Sequence, residues 1–191
     1  MDEKELIRRS QEGDGEAFGQ LIERYKSKVY YLAYGLTGDR SEADDLAQEV
    51  FIKAYYAIPK FQFKSEFGTW LYRIAVNHVR DYLRKNRHRL DDVSIHAFGE
   101  SFPAAEGSSF EERQLLDRRR MLVQAALRRL PEKYQIILAL RDIQGLSYEE
   151  ISRILGISAG TVDSRLHRAR KKLREKLALI VGGKGGEYGL P

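Results

Sequence analysis

The chain has 191 residues, a net charge of +5, 42% hydrophobic and 32% charged residues, and no cysteine. That length can bury one large or two small cores, the lack of cysteine excludes disulfides and thiolate metal sites, and no apolar run approaches a membrane span. Met1 to Arg9 is charged and lacks the apolar stretch of a signal peptide, so a cytoplasmic location is expected.

Helical periodicity dominates and no convincing alternating strand pattern is seen, which predicts an all-α protein. Gly13-Asp14-Gly15 opens a helix carrying Phe18, Leu21, Ile22 and Tyr25, which continues or restarts from Val29 to Leu36. After the turn at Gly38-Asp39-Arg40, Ser41 stands three residues before Asp44, a capping-box-like start for a helix reaching about Ala57. Pro59 breaks the chain, residues 60–68 form a loop with Phe61, Phe63 and Phe67, and a helix runs from about Thr69 to Arg87. Residues 89–111 lose the pattern to Asp, Ser, Gly and Pro, a linker too long for a connection inside one compact domain. Periodicity resumes at Glu111, with Leu116, Val123, Leu127 and Leu130 on one stripe. Pro131 opens the next helix, which ends at Gly145, and two short helices start from Ser147 and Ser158. The glycine-rich tail, 179–191, reads as disordered. The expected architecture is two small helical domains, 14–88 and 112–178, joined by a flexible linker.

Charge is unevenly spread. Six Lys/Arg lie between Arg73 and Arg89 against Asp81, and seven lie between Ala159 and Leu177 against Asp163 and Glu175, so each segment carries +5 on an otherwise acidic chain. Two basic islands suggest two polyanion contacts and a separate basic partner for the acidic surface.

In the C-terminal half, Ser147 with Glu150 forms a capping box, and Ile151, Ile154 and Leu155 face inward. Gly156 suits a left-handed turn, and Ser158 caps a second helix. This spacing predicts a helix-turn-helix. On its second helix, Val162, Leu166, Ala169, Leu173 and Leu177 share a stripe, while Ser164, His167, Arg168 and Lys171 lie opposite, flanked by Arg165 and Lys172. An apolar back with a polar, basic front fits a major groove; Ser164 and His167 are candidates for base edges, and Arg165, Arg168 and Lys172 for phosphates.

In the N-terminal half, Arg73, Asn77, Arg80 and Arg84 are spaced four, three and four apart on one narrow face. Arginines at that pitch can track a phosphate backbone and an Asn among them can read a base. The aromatic loop just before offers stacking surfaces for an unpaired or flipped base, Phe61 serving there or in the core, with Phe67 and Trp70 assigned to the core. On the helix before the loop, Asp45, Gln48, Glu49 and Ile52 face outward, compatible with docking a basic partner helix.

Four stretches together resemble the extracytoplasmic-function (ECF) subfamily of bacterial sigma factors: Asp44 to Tyr55, Thr69 to Asp81, Leu130 to Tyr134 and Gly145 to Leu173, in the family's order. The resemblance implies a first domain that binds the −10 promoter element and a second that binds the −35 element. It implies Phe61, Arg73, Ile74, Asn77, Arg80 and Arg84 at the −10 DNA, with Phe61 and Asn77 holding a flipped base and Ile74 and Ala57 completing its pocket. Thr161, Asp163, Ser164, Arg165, His167, Arg168, Lys171 and Lys172 fall at the −35 contact, and Asp45, Gln48, Glu49 and Ile52 at the core polymerase. Phe51, beside the docking residues, is expected inward. The implied partners are core RNA polymerase, through its β′ clamp helices and β flap, promoter DNA, and an anti-sigma factor; the linker would lie in the polymerase channels. Asp163 stands where many relatives carry Arg or Lys, and His167 where an aromatic is frequent, so no −35 consensus is carried over. No cofactor, metal site or catalytic residue is expected: the four histidines lack metalloprotease spacing and there is no phosphate-binding glycine loop. The alternative is a helix-turn-helix regulator acting without polymerase, a class that usually dimerises on symmetric operators.

Overall fold

A computed structural model describes residues 2–86 and 110–182; the predicted linker core, the end of the first basic island and the tail lie outside these residues. All regular elements among the described residues are helices. The first is unannounced by the apolar pattern: α1 (Glu3–Gln11) has Glu3 and Glu5 in its first turn and Arg8 and Arg9 in its last, charges that suit the helix dipole. It buries Leu6, Ile7 and Ser10 against α2, so ordered structure begins well before the predicted domain start.

α2 (Gly15–Thr37) is one continuous helix. Asp14 caps it, accepting from the N–H groups of Glu16 and Ala17. The Ala17 N–H first, then the Arg9 guanidinium, hold the Asp14 carboxyl below the usual carboxylate range. Gly38, at φ +65°, ends the helix in the left-handed region. The cap of α3 (Arg40–Ala57) is Asp39, which accepts from the Glu42 N–H at 2.9 Å, and not Ser41 as expected. Ser41 lies inside the first turn. A 3-10 turn (Ile58–Lys60) containing Pro59 leads into the loop, and α4 (Phe67–Lys85) follows.

In the second half α5 (Phe110–Arg128) leads to α6 (Glu132–Leu138), which widens into a π turn over Ala139–Ile143. The predicted stripe on α5 is right only at its end: Leu127 and Leu130 are buried, but Leu116 and Val123 are 45% and 42% exposed, and Leu122, Ala125 and Ala126 are buried instead. The buried Gln135 amide donates to the carbonyls of Leu130 at 2.7 Å and Arg128 at 3.2 Å, satisfying acceptors that the end of α5 leaves open.

α7 (Tyr148–Leu155) and α8 (Ala159–Gly182) form the helix-turn-helix. Ser147 Oγ accepts from the Glu150 N–H at 3.1 Å while the Ser147 N–H donates to the Glu150 carboxylate at 2.7 Å, and Gly156 sits at φ +65°. The Ser147 N–H is also the main reason the Glu150 carboxyl titrates below its ordinary value. A lowered folded-state pKa gives stability that is complete above the ordinary Glu range and lost as acid protonates the folded carboxylate. Ser147→Ala is expected to cost about 1 kcal/mol, read as a lower denaturant midpoint with an unchanged slope; an unchanged midpoint would count against the cap.

The two halves lie against each other. One apolar cluster runs from Leu6, Leu32 and Leu71 through Ile136 and Leu140 to Ile151 and Leu166. A small second cluster joins Leu122 and Ala126 of α5 to Ile180 near the end of α8. Polar contacts cross between the halves: the Tyr72 hydroxyl donates to Gln144 Oε1 at 2.8 Å, and Gln124 Nε2 donates to the Gly35 carbonyl at 3.0 Å. A Cβ at Gly35 would overlap Ile143 Cδ1 as the side chain now stands, so the two halves approach closely there.

Candidate nucleic-acid interface

Helix α4 presents the first candidate surface. Leu71, Ala75, Val76, Val79 and Leu83 are buried, which turns Arg73, Asn77 and Arg84 outward, with Arg80 and Ile74 half-buried beside them. Arg84 pairs with Asp81 at 2.9 Å, both exposed, a contact that restrains the arginine little. Arg73 is engaged by the other half: its Nε and Nη2 donate to the Arg153 carbonyl of α7 at 2.9 and 2.6 Å. None of the three arginines is enclosed in the core.

In the loop before α4 the structure decides between the two roles left open for Phe61. Phe61 is only 6% exposed, its ring packed against Phe63, Phe67 and Trp70 at centroid distances of 5.0, 5.9 and 5.2 Å. It is a core residue and presents no stacking face. The exposed ring is Phe63, 42% accessible and held at φ +55°, a backbone region that non-glycine residues seldom adopt. Ala57 is half-buried at the end of α3.

On α3, Leu46, Val50 and Ala54 are buried and Asp45, Gln48, Glu49 and Ile52 are exposed, Ile52 to 57%. Phe51 is half-buried against the core. The apolar part of this outer face continues to Tyr56, 77% exposed one turn after Ile52, a residue the sequence pattern does not single out. His78 Nε2 lies 2.8 Å from a Glu49 oxygen without hydrogen-bond alignment. Burial, and then Lys53, push the His78 imidazole below the usual histidine range, against the opposing pull of Glu49.

Helix α8 carries the second surface. Val162, Leu166 and Ala169 are buried beneath it, and Leu173 and Leu177 are half-buried. Asp163, Ser164, His167, Arg168, Lys171 and Lys172 are exposed, with Thr161 and Arg165 half-buried. Thr161 also serves the cap: its N–H donates to Ser158 Oγ at 3.1 Å, and the two hydroxyls are 2.8 Å apart. Arg168 folds back, donating to the Ser164 carbonyl at 3.1 Å and hydroxyl at 3.2 Å. Asp163 and His167 line a shallow groove of about 390 Å³ with Tyr148, Arg170 and Arg174. Among the described residues no cluster of His, Asp and Glu could hold a metal ion, and no helix is long and apolar enough to cross a membrane.

A helix-turn-helix with an exposed basic front and a second, separate arginine-and-asparagine helix give the chain two candidate DNA-binding surfaces, the pattern of a DNA-binding protein. Comparison with known proteins narrows the class. The family model of Sigma-70 region 2 matches residues 21–89 and that of Sigma-70, region 4 matches residues 120–173. The chain is 37% identical over 179 residues to the ECF RNA polymerase sigma factor SigW of Bacillus subtilis, covering 91% of this chain and 96% of that one. Among solved structures it is similar to CnrH in complex with the cytosolic domain of CnrY, with a TM-score of 0.64 and 25% identity over 91% of this chain and 96% of that one. It is also similar to the sigma factor RpoE in complex with the anti-sigma factor NepR from Bartonella quintana, with a TM-score of 0.59 and 28% identity over 84% and 96% of the two chains. The chain belongs to the ECF sigma factors of RNA polymerase.

Proposed function

We propose that the chain docks on core RNA polymerase through the α3 face of Asp45, Gln48, Glu49 and Ile52. The α4 face then engages the −10 element and the α8 front the −35 element. The single observation that carries this reading is the pair of outward polar surfaces, each backed by buried apolar residues of its own helix, on α4 and α8. Asn77 reads a base, with Ile74 and Ala57 beside it. Phe63 takes the stacking role first assigned to Phe61, on the strength of its exposure. Arg73, Arg80 and Arg84 neutralise phosphates. On α8, Ser164, His167 and Asp163 face base edges, Asp163 as an acceptor for a cytosine amino group, while Arg165, Arg168, Lys171 and Lys172 face the backbone and Thr161 orders the first turn.

The chain acts by binding and directing polymerase, with no catalytic step of its own, and works in the cytoplasm where that polymerase and its template are. The similar RpoE structure contains an anti-sigma factor, and a partner of that kind is proposed here too. Run-off transcription with purified core enzyme tests the function. Start-site selection that depends on this chain is expected, and its absence would defeat the reading in favour of a regulator acting alone.

Arg80→Ala and Arg84→Ala are expected to weaken promoter complexes independently of sequence. Each should lower the slope of log affinity against log salt by roughly one. A loss confined to one base position, with the slope unchanged, would remove both residues from the phosphate contacts.

A further inference from the structure

The N-terminal helix makes one contact that spans the first half of the molecule. Gln11, the last residue of α1, is half-buried, and its Nε2 donates to the carbonyl of Ile58 at 3.1 Å and of Phe61 at 2.8 Å. The two carbonyls bracket the 3-10 turn at the start of the aromatic loop. Ile58 O also accepts the Phe61 N–H at 2.9 Å, the bond that closes the turn. One side-chain amide thus fixes both ends of the turn from outside.

The residues just past the turn need such fixing. Two positions beyond Phe61, the Phe63 backbone occupies the left-handed region and its ring is exposed, a conformation that persists only where its surroundings determine it. On one side the determinant is the buried Phe61 ring, wedged against Phe67 and Trp70 of α4. On the other it is Gln11, carried by a helix anchored through buried Leu6 and Ile7 and through Glu3, which accepts the Tyr25 hydroxyl at 2.8 Å. A recognition loop held by rigid elements reads more sharply than one held at its ends alone.

We propose that Gln11 is a positioning residue for −10 recognition: its amide fixes the carbonyls of Ile58 and Phe61 and so sets the path of the loop that presents Phe63 beside α4. The ligand served is an unpaired base of the −10 strand, which meets Phe63 and Asn77 and never Gln11. This rests on the reading of α4 and its preceding loop as the −10 surface.

The test uses the full chain assembled with core polymerase. Gln11→Met keeps the length and shape of the side chain and removes both donors; Gln11→Glu keeps the shape and turns an acceptor on two acceptors. The probes are single-stranded oligonucleotides carrying the −10 sequence recovered from polymerase-bound DNA, each base replaced in turn, with 2-aminopurine reporting the unstacked position. The intact chain is expected to discriminate at that position. Gln11→Met should lose roughly tenfold of that discrimination, the scale of one or two part-buried hydrogen bonds, with Gln11→Glu losing at least as much. Polymerase affinity and −35 duplex binding should not change. Gln11→Met with undiminished discrimination, or with equal loss on every oligonucleotide, would overturn the proposal, and that variant decides the matter should Gln11→Glu fail to fold. An intact chain that discriminates nowhere in the −10 strand would instead overturn the reading of α4, and the role of Gln11 with it.

Discussion

Gly35→Leu is expected to drive the two halves of the free protein apart. Even a single added carbon at Gly35 would overlap Ile143 Cδ1, and the position is buried within α2. A methyl could be absorbed by rotation of the isoleucine tip, whereas a leucine would have to displace the whole Ile143 side chain, which is 47% exposed, from α2. Overpacking of this kind costs about 1–3 kcal/mol, which shifts a closed-to-open ratio by roughly 5- to 150-fold. Four hydrogen bonds would break together: Gln124 to the Gly35 carbonyl, Tyr72 to Gln144, and the two from Arg73 to the Arg153 carbonyl. The native sequence has no cysteine, so spin labels on cysteines placed at exposed Gln20 and Glu175 would report the separation cleanly. A broader and longer distance distribution at unchanged helix content is the expected result; an unaltered distribution would show that the interface adapts.

The reason to expect an open form at all is a matter of length. Promoter elements centred about 25 base pairs apart span roughly 85 Å, at about 34 Å per helical turn. A compact chain of this size measures only about 40 Å across. On the proposed assignment, the α4 and α8 surfaces cannot both be seated on one promoter while the halves share a core. The same assignment places the Arg73 guanidinium on a phosphate, which requires its release from the Arg153 carbonyl.

Charge reversal on α3 is the second large effect. Asp45→Lys is expected to lower affinity for core polymerase by about 5- to 150-fold, the 1–3 kcal/mol scale of a lost attraction turned to repulsion across an interface. The residue is exposed and faces away from buried Leu46 and Val50, so the melting temperature should hardly move. Glu49→Lys should bind as poorly but is the less clean variant, because it would set a second cation beside His78 and Lys53. Competition binding against labelled protein, with circular dichroism as the fold control, separates the outcomes. Unfolding of Asp45→Lys would remove α3 from the surface, and undiminished affinity would remove it from the docking site.

Much of the helical pattern is legible because its signals are local. Pro59, the Ser147–Glu150 pair, Gly156 and the 162–166–169 stripe each act within a turn or two of themselves, and each does in the structure what its chemistry dictates. The misses share a cause: they depend on what lies across the chain. Helix α1 has only Leu6 and Ile7 to bury among seven other residues, too short a stripe to outweigh its charges until α2 is there to receive it. On α5 the run Arg118-Arg119-Arg120 masks the phase of the apolar face, which small residues, Ala125 and Ala126, carry as much as leucines do. Phe61 and Phe63 are alike in composition, and only the packing of Trp70 and Phe67 decides which ring goes in. The cap of α3 is misplaced by two residues in the sequence pattern because both Asp39 and Ser41 are competent caps. The docking of one half on the other leaves almost no trace in the pattern, since the apolar residues it shares belong to stripes that each half could bury alone, and the contacts particular to it are a glycine, glutamine amides and backbone carbonyls.

The π turn at Ala139–Ile143 holds one residue more than a regular helix would use, visible in the Gln144 N–H donating to the Ala139 carbonyl at 3.0 Å, five residues back. That surplus is slack in the winding. Losing one of Ala139, Leu140, Arg141 or Asp142 would let the turn close to ordinary helix, the bulge absorbing the loss, so that Ile143, Gln144 and the DNA-reading hairpin keep their facing. The same deletion in the regular turns of α6, where nothing is spare, would swing everything downstream by about 100°. The five residues are therefore a place where the second half can change length by one without turning its hairpin away from the first.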